Sequence, residues 1–396
     1  MDRESREGQG KIPERFGRGS ELNRRDLLKL GGLGAGALML PGVLAACGGG
    51  SSSSSGTTGG SVTTAESPEL KKLLDGIESK QVIIANYGGV TEEVRKRVFW
   101  EPFTARTGVQ VIEADAGALA VPMLLGEIPT KWDAVHGSTA EGYAAQLYGK
   151  KPLPKTPKAA WEDLVKPRKM QPYIFQSFSV GYAPAMIKGT FSGPQPETWA
   201  DFFDTKKFPG KRAWPAEYFY TGSLEAALLA DGVAPEDIYP MDFERAAAKV
   251  KSIFDDLVIY TEYPQAQTFL TTKTASMAFA PNGLWHELEE KGIEIQLAWE
   301  APVVLDTNGF NILPEAPNLD AVQALAAFCN QPHLQAEFAQ QTGYGLETKA
   351  AFKELSKPEQ EALPNGPQRT YAFTLEPIYF AEHQREIEKT EKTIFS

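Results

Sequence analysis

From Gln81 to Thr342 the chain alternates short apolar runs with amphipathic stretches of helical period, and this alternation restricts it to an α/β fold. Val82-Ile83-Ile84-Ala85 is an uninterrupted apolar run closed by Asn86-Tyr87-Gly88-Gly89, a pattern that suits a buried parallel strand. Thr91 is placed to cap a helix that starts at Glu92-Glu93 and carries Val94, Val98 and Phe99 on one face. Pro102 limits that helix and Gly108 comes at its close. Val109 to Ile112 is the next strand. One βαβ unit therefore opens the body, its glycine-rich turn at the carboxyl end of a strand, where open α/β sheets bind ligands.

The same alternation continues. A lead-in helix is expected over Glu69 to Ser79 and a strand at Trp132 to Val135. A helix over Pro196 to Asp204, a strand at Arg212 to Trp214 and a helix over Gly222 to Ala230 follow. A long helix is expected from Asp242 to Leu257, a strand around Ala275 to Ala280 and a helix over Leu284 to Lys291. Strands at Ile293 to Ala298 and Gly309 to Leu313 and helices over Leu319 to Asn330 and Leu334 to Thr342 complete the series. No internal repeat is visible. The 262 residues of this pattern, in a chain with 42% hydrophobic residues, predict two α/β lobes and exclude disorder of the whole.

Charge and composition remove several chemistries. The net charge of −11 offers no positive field for phosphates, so nucleic acid is not a partner. Cys47 and Cys329 stand in unlike contexts, which excludes a disulfide framework and a cysteine-based zinc site; Cys329 lies among Leu325, Ala326 and Phe328 and reads as a buried small hydrophobe. His136, His286, His333 and His383 are too far apart for a local metal motif, and surface or capping roles are expected for all four. His286-Glu287-Leu288-Glu289-Glu290 has glutamate where a zinc protease needs its second histidine, and reads as a solvated helix face. No nucleophile elbow, phosphate-binding loop or dinucleotide fingerprint occurs. No cofactor, metal or catalytic activity is expected.

The N-terminal segment reads as an address. Arg24-Arg25 precede a short apolar stretch, Leu30 to Ala46, broken by five glycines and a proline and below the roughly 20 apolar residues of a membrane-spanning helix. It resembles a twin-arginine export signal, and Leu44-Ala45-Ala46-Cys47 resembles a lipoprotein box whose cysteine receives lipid. From Gly48 to Thr64 every residue except Val62 is Gly, Ser or Thr, the composition of a flexible tether. The expected division is a signal over residues 1–46 and a lipidated, tethered stretch over 47–68. Removal of the signal leaves 32 basic and 45 acidic residues, a net −13. The protein is then exported and held by lipid on the outer face of the cytoplasmic membrane.

Several ordered motifs carry a likeness that covers Gln81 to the C-terminus. They are Asn86-Tyr87-Gly88-Gly89, Trp100-Glu101-Pro102-Phe103 and Thr107-Gly108-Val109-Gln110-Val111. After these come Pro196-Glu197-Thr198-Trp199-Ala200-Asp201-Phe202-Phe203 with Phe208-Pro209-Gly210-Lys211, then Pro281-Asn282-Gly283, Pro317-Asn318 and Gly343-Tyr344-Gly345. The chain resembles extracellular solute-binding proteins of bacterial ABC importers, in the branch that includes spermidine and putrescine binders. The resemblance implies a type II periplasmic-binding-protein fold, with mixed sheets flanked by helices in two lobes and a ligand cleft between them. The protein would be a monomer that closes on a small solute by hinge motion and delivers it to an ABC permease. Lobe 1 is expected over 80–182 plus 307–355 and lobe 2 over 183–306 plus 356–396, with crossings near Ser179 to Ala183 and Asp306 to Asn311.

Within that frame the ligand-binding candidates are Tyr87, Gly88, Gly89, Ser138, Thr139, Trp214, Glu217, Tyr218, Asn282, Asp306, Thr307 and Tyr344. Tyr87-Gly88-Gly89 offers an aromatic face and backbone N–H groups, or simply a tight turn. Ser138 and Thr139 present hydroxyls, with a capping role open for Thr139. Trp214 and Tyr218 supply aromatic walls or core packing, and Glu217 is the nearby carboxylate. Asn282 would lend an amide and Tyr344 a phenol, or each would cap or pack. Thr307 and Gly309 stand where polyamine-binding relatives carry tryptophan and aspartate, so a diamine needs Asp306 or Glu217 in the cleft. A zwitterion, carboxylate or singly charged amine fits as well. A ferric-ion carrier using Tyr218 and Tyr220, and an exported enzyme on the same fold, are the alternatives.

Overall fold

The computed structural model of the protein describes residues 66–86, 91–160, 175–216, 222–369 and 373–396. Tyr87, Gly88, Gly89, Glu217, Tyr218, Tyr220 and Cys47 lie outside them. In chain order the first half runs α1 (Pro68–Asp75), β1 (Gln81–Asn86), α2 (Thr91–Arg95), α3 (Glu101–Thr107), β2 (Gln110–Asp115), α4 (Ala120–Leu124), β3 (Ala134–Ser138), α5 (Thr139–Tyr148), β4 (Phe175–Tyr182), β5 (Ala185–Ile187), α6 (Trp199–Phe203), β6 (Arg212–Pro215) and α7 (Ser223–Ala230). The second half runs α8 (Phe243–Lys251), β7 (Leu257–Tyr260), α9 (Tyr263–Thr271), β8 (Met277–Ala278), α10 (Asn282–Glu290), β9 (Ile295–Leu297), β10 (Val304–Ile312), α11 (Leu319–Cys329), α12 (Pro332–Thr342), β11 (Gly345–Leu346), α13 (Lys349–Phe352), α14 (Lys357–Ala362), β12 (Phe373–Thr374) and α15 (Pro377–Phe395).

The described strands form two sheets. The first has the order β11-β4-β10-β3-β1-β2, with β12 paired to β10, and the second the order β7-β6-β8-β5-β9. β1 pairs in parallel with both β2 and β3, and β6 with both β7 and β8. β10 runs antiparallel to β3 and to β4, and β5 antiparallel to β8 and β9. The result is a mixed α/β architecture of two sheets flanked by helices, as expected.

The chain passes between the sheets twice. β4 leads through Ala183-Pro184 into β5, and β9 returns through residues 298–303 into β10. The passages run side by side: the Ala298 N–H donates to the Pro184 carbonyl (2.9 Å), and Val304 pairs with Tyr182. The return strand thus enters the first sheet at Val304, earlier than the expected Asp306 to Asn311. One apolar core crosses the joint, with Tyr182 stacked on Phe279 at 5.1 Å. Residues 67–396 of the described chain belong to one compact unit.

Local expectations held where caps and period agreed, and failed in four places. Pro102 does not end the first body helix. A wide π-type turn over Lys96–Trp100 precedes it, with the Glu101 N–H donating back to Lys96, and the proline then stands in the first turn of α3, where it has no N–H partner to lose. Gly108 closes α3 in the left-handed region (φ 76°). The long helix expected to Leu257 stops at Lys251, because Leu257 to Tyr260 pair with β6 as a strand. The lead-in helix ends at Asp75, capped by Gly76. The C-terminal α15 was not anticipated.

Candidate solute site

The residues that close the joint come from strands of the first sheet and from helices of the second half. Ser138 ends β3 and caps α5: its Oγ accepts from the Ala140 N–H at 3.2 Å, so the cap is Ser138 and not Thr139, which is fully buried at the first position of the helix. Ser138 Oγ also donates to Asp306 Oδ1 at 3.3 Å across the β3–β10 pair. Asp306 lies opposite Val180 in β10, one residue before Thr307, which is 2% exposed and pairs with Ser179.

The Asp306 carboxylate faces a group of phenols. Tyr182 Oη donates to Tyr263 Oη, and burial, with the Asp306 charge adding to it, raises both phenols, Tyr263 to about 12. Tyr182 closes β4 at the crossing and Tyr263 opens α9 of the second half. Tyr344, after α12, is raised chiefly by burial and lies within the fields of Tyr263 and of Arg95. Its ring stacks on Phe178 (4.9 Å) and lies against Gly283 of α10, where a Cβ would fall 2.5 Å from Tyr344 Cζ. Only glycine leaves room for that ring. His136 also stacks on Phe178 (5.6 Å) and meets Phe310 edge-on (4.9 Å). At 3% exposure it is a buried, neutral imidazole, held far below its usual range first by burial and then by the Arg95 charge, and not the surface histidine expected.

Asp306, Ser138 and Tyr344 therefore stand around the joint, and Thr307 lies buried in the strand between Asp306 and Asn308. Two other candidates are committed elsewhere. Trp214 is 2% exposed and packs among Phe202, Phe203 and Phe279, so its ring belongs to the core of the second half and offers no wall. Asn282 spends both ends of its amide internally. Its Oδ1 accepts from the Gly181 N–H (2.9 Å), and its Nδ2 donates to the Gly343 carbonyl (2.6 Å).

Sequence reasoning missed Tyr182, Tyr263, His136 and Arg95. Arg95 carried a signal: it falls one helical turn after Thr91 and one before buried Phe99, a charge on an apolar stripe. Tyr263 opens a helix, Tyr263–Thr271, for which the sequence carries no expected element. Among the described residues no group of three or more His, Cys, Asp or Glu side chains is placed to hold a metal, and no helix is long and apolar enough to cross a membrane. Cys329 is buried in α11 and burial pushes its thiol well up.

Comparison with known proteins adds to this geometry. The chain is 27% identical over 327 residues to the gamma-aminobutyric acid-binding protein of Pseudomonas aeruginosa, a match over 79% of this chain and 90% of that one. The structure titled as the Atu4243–GABA receptor superposes with a TM-score of 0.70 at 28% identity, over 80% of this chain and 98% of that one. An ABC transporter substrate-binding protein from Bradyrhizobium japonicum shares the fold, with a TM-score of 0.72 at 23% identity over 80% and 100% of the two chains. Residues 101–364 match the family model described as bacterial extracellular solute-binding protein, and the chain belongs to that family.

Proposed function

We propose that this protein captures a small amino-acid-like solute at the joint between its two sheets and hands it to an ABC permease. The observation that carries the reading is the Asp306 carboxylate, set among the Tyr182, Tyr263 and Ser138 hydroxyls where both interlobe passages meet. A carboxylate beside two phenols suits an ammonium group, which donates charge-assisted hydrogen bonds in place of those it gave to water. Two similar proteins are named for binding gamma-aminobutyric acid, which supports a zwitterion over the diamine of the spermidine and putrescine branch.

The expected two-lobe division is proposed with the return crossing moved to residues 298–303, so that 304–306 and β12 join the first lobe, and the protein is proposed as a monomer without enzymatic activity. Tyr87, Gly88, Gly89, Glu217 and Tyr218 remain proposed wall residues. The twin-arginine signal and the lipid on Cys47 are part of the same reading, supported by the sequence Leu44 to Cys47 and the Gly/Ser/Thr tether behind it.

Calorimetry of the full chain against ω-amino acids, α-amino acids, organic acids and diamines tests the solute class. Micromolar or tighter binding confined to amino acids is expected; binding confined to diamines, or none with turnover of a substrate, overturns it. Cys47→Ser is expected to move the protein from the membrane to the soluble fraction of its host, and unchanged membrane retention would refute the anchor.

A further inference from the structure

Two buried guanidiniums are held in opposite ways. Arg212, fully buried, donates Nε to the Phe202 carbonyl (2.6 Å), Nη1 to that of Gly210, and Nη2 to those of Phe208 (2.6 Å) and Asp204 (3.4 Å). Four carbonyls of one loop enclose it, and its role is to tie that loop to β6. Arg95 is almost as buried, at 3% exposure, yet makes one hydrogen bond, from Nη1 to Thr91 Oγ1 (2.8 Å). Its Nε is buried without an acceptor.

Among the described residues no carboxylate forms an ion pair with Arg95. Glu113 and Glu92 act on it only through their fields, and Glu113 Oε1 is already taken by Trp100 Nε1 (3.0 Å) and Asn86 Nδ2 (3.1 Å). A buried cation without its partner costs several kcal/mol, which a structural arginine recovers by hydrogen bonds, as Arg212 does. Arg95 does not recover it within the protein.

Its place explains what could. Arg95 ends α2, the helix that follows β1 on the side of the first sheet occupied by His136 and Phe178. The two rings that feel its charge, His136 and Tyr344, are the two that stack on Phe178. From Tyr344 the electrostatic contact passes to Tyr263 and from there to Asp306. The joint thus has a cationic end at Arg95, an anionic end at Asp306, and phenols between.

We propose that Arg95 is the carboxylate-binding residue of the solute site. Its planar fork accepts one carboxylate in bidentate fashion, which makes a free carboxylate an obligatory feature of the solute, with the ammonium group turned toward Asp306. This inference rests on the reading of the joint as the solute site.

The test uses the full chain with two probes of equal length, gamma-aminobutyric acid and its primary amide, which lacks the charge. Wild type is expected to prefer the acid. Arg95→Gln is expected to weaken the acid by about 10- to 150-fold, the range for a lost charge-assisted hydrogen-bond pair, and to leave the amide within about threefold. The melting temperature of unloaded Arg95→Gln is expected to hold or rise, since an unpaired buried charge is removed. Equal affinity of wild type for acid and amide overturns the proposal. So does an Arg95→Gln variant that binds the acid as wild type does, or one that loses both probes equally and melts several degrees lower, the signature of a structural arginine. Should Arg95→Gln give no folded protein, Arg95→Lys decides, with an intermediate loss for the acid alone expected and an unchanged affinity overturning the proposal. Wild type that binds the acid beside an indifferent Arg95→Gln removes this inference alone. Wild type that binds diamines and no amino acid removes the parent reading with it.

Discussion

At the scale of the residue, the joint is organised by side chains that finish hydrogen bonds the backbone leaves open. Asn282 is the clearest. It sits at the first position of α10, yet its amide reaches out of that helix to β4 through the Gly181 N–H and to the end of α12 through the Gly343 carbonyl. One side chain therefore pins three elements from both halves. Replacement by alanine leaves a buried donor and a buried acceptor unpaired, and each such group costs about 1–3 kcal/mol. Asn282→Ala is expected to lose about 2–5 kcal/mol in urea denaturation, while Asn282→Asp, which sets a carboxylate against the Gly343 carbonyl, should lose at least as much. The sequence points to this asparagine, after a strand and before a glycine, but not to its use: a side chain committed to long-range backbone partners looks the same in sequence as one offered to a solute. Trp214 shows the same limit, since an aromatic at a strand end serves a wall or a core equally well until its neighbours are known.

At the scale of the element, strands and helices with strong caps were legible and their junctions were not. The Thr198 and Asp201 pair forms the reciprocal cap that the Pro-Glu-Thr-Trp-Ala-Asp segment announces, and the helix starts there. Leu257-Val258-Ile259-Tyr260 gives no such signal: four apolar residues fit the end of a helix as well as a buried strand, and the pairing with β6 decides. A different kind of junction joins α1 to α11. The Asp320 carboxylate, in the first turn of α11, accepts from the backbone N–H groups of Glu78 (2.7 Å) and Ser79 (3.0 Å) and from the Ser79 hydroxyl (2.5 Å). These hydrogen bonds outweigh partial burial and hold its pKa near 2, below the ordinary 3.8. A depressed folded pKa means that the unfolded chain takes up the proton first, so the contribution is complete above about pH 4 and disappears as pH falls toward 2. The group is only partly buried, so solvent screening keeps the effect modest, about 1 kcal/mol. Asp320→Asn is expected to melt lower than wild type at pH 5 and to converge with it at pH 2; a constant difference across that window would show that the tie does not depend on charge.

At the scale of the whole molecule, the two passages between sheets make the halves movable, and α15 makes the movement bounded. Ala183-Pro184 and residues 298–303 are short, adjacent and hydrogen-bonded to each other, so they act as one joint rather than two independent linkers. α15 packs on α5, beside the first sheet, and on α8, beside the second, and it departs from helical geometry at His383 (φ −112°, ψ 19°), whose ring stacks on Tyr379 at 4.1 Å. A helix that packs on both halves resists their separation. The energy to close on a guest must come from differential contact with the closed form, here Arg95, Asp306 and the phenols, since equal contact in both forms would move nothing. Small-angle scattering of the full chain with and without gamma-aminobutyric acid is expected to show a smaller radius of gyration in the loaded form. The melting temperature should rise with it, since a solute at 100 times its Kd adds about 2.7 kcal/mol by mass action. Removal of α15 after His383 should enlarge the unloaded radius and weaken binding, because the open form is then less restrained. Binding that raises the melting temperature without changing the radius of gyration would mean that the solute enters a joint already closed, and the hinge would have no part in its capture.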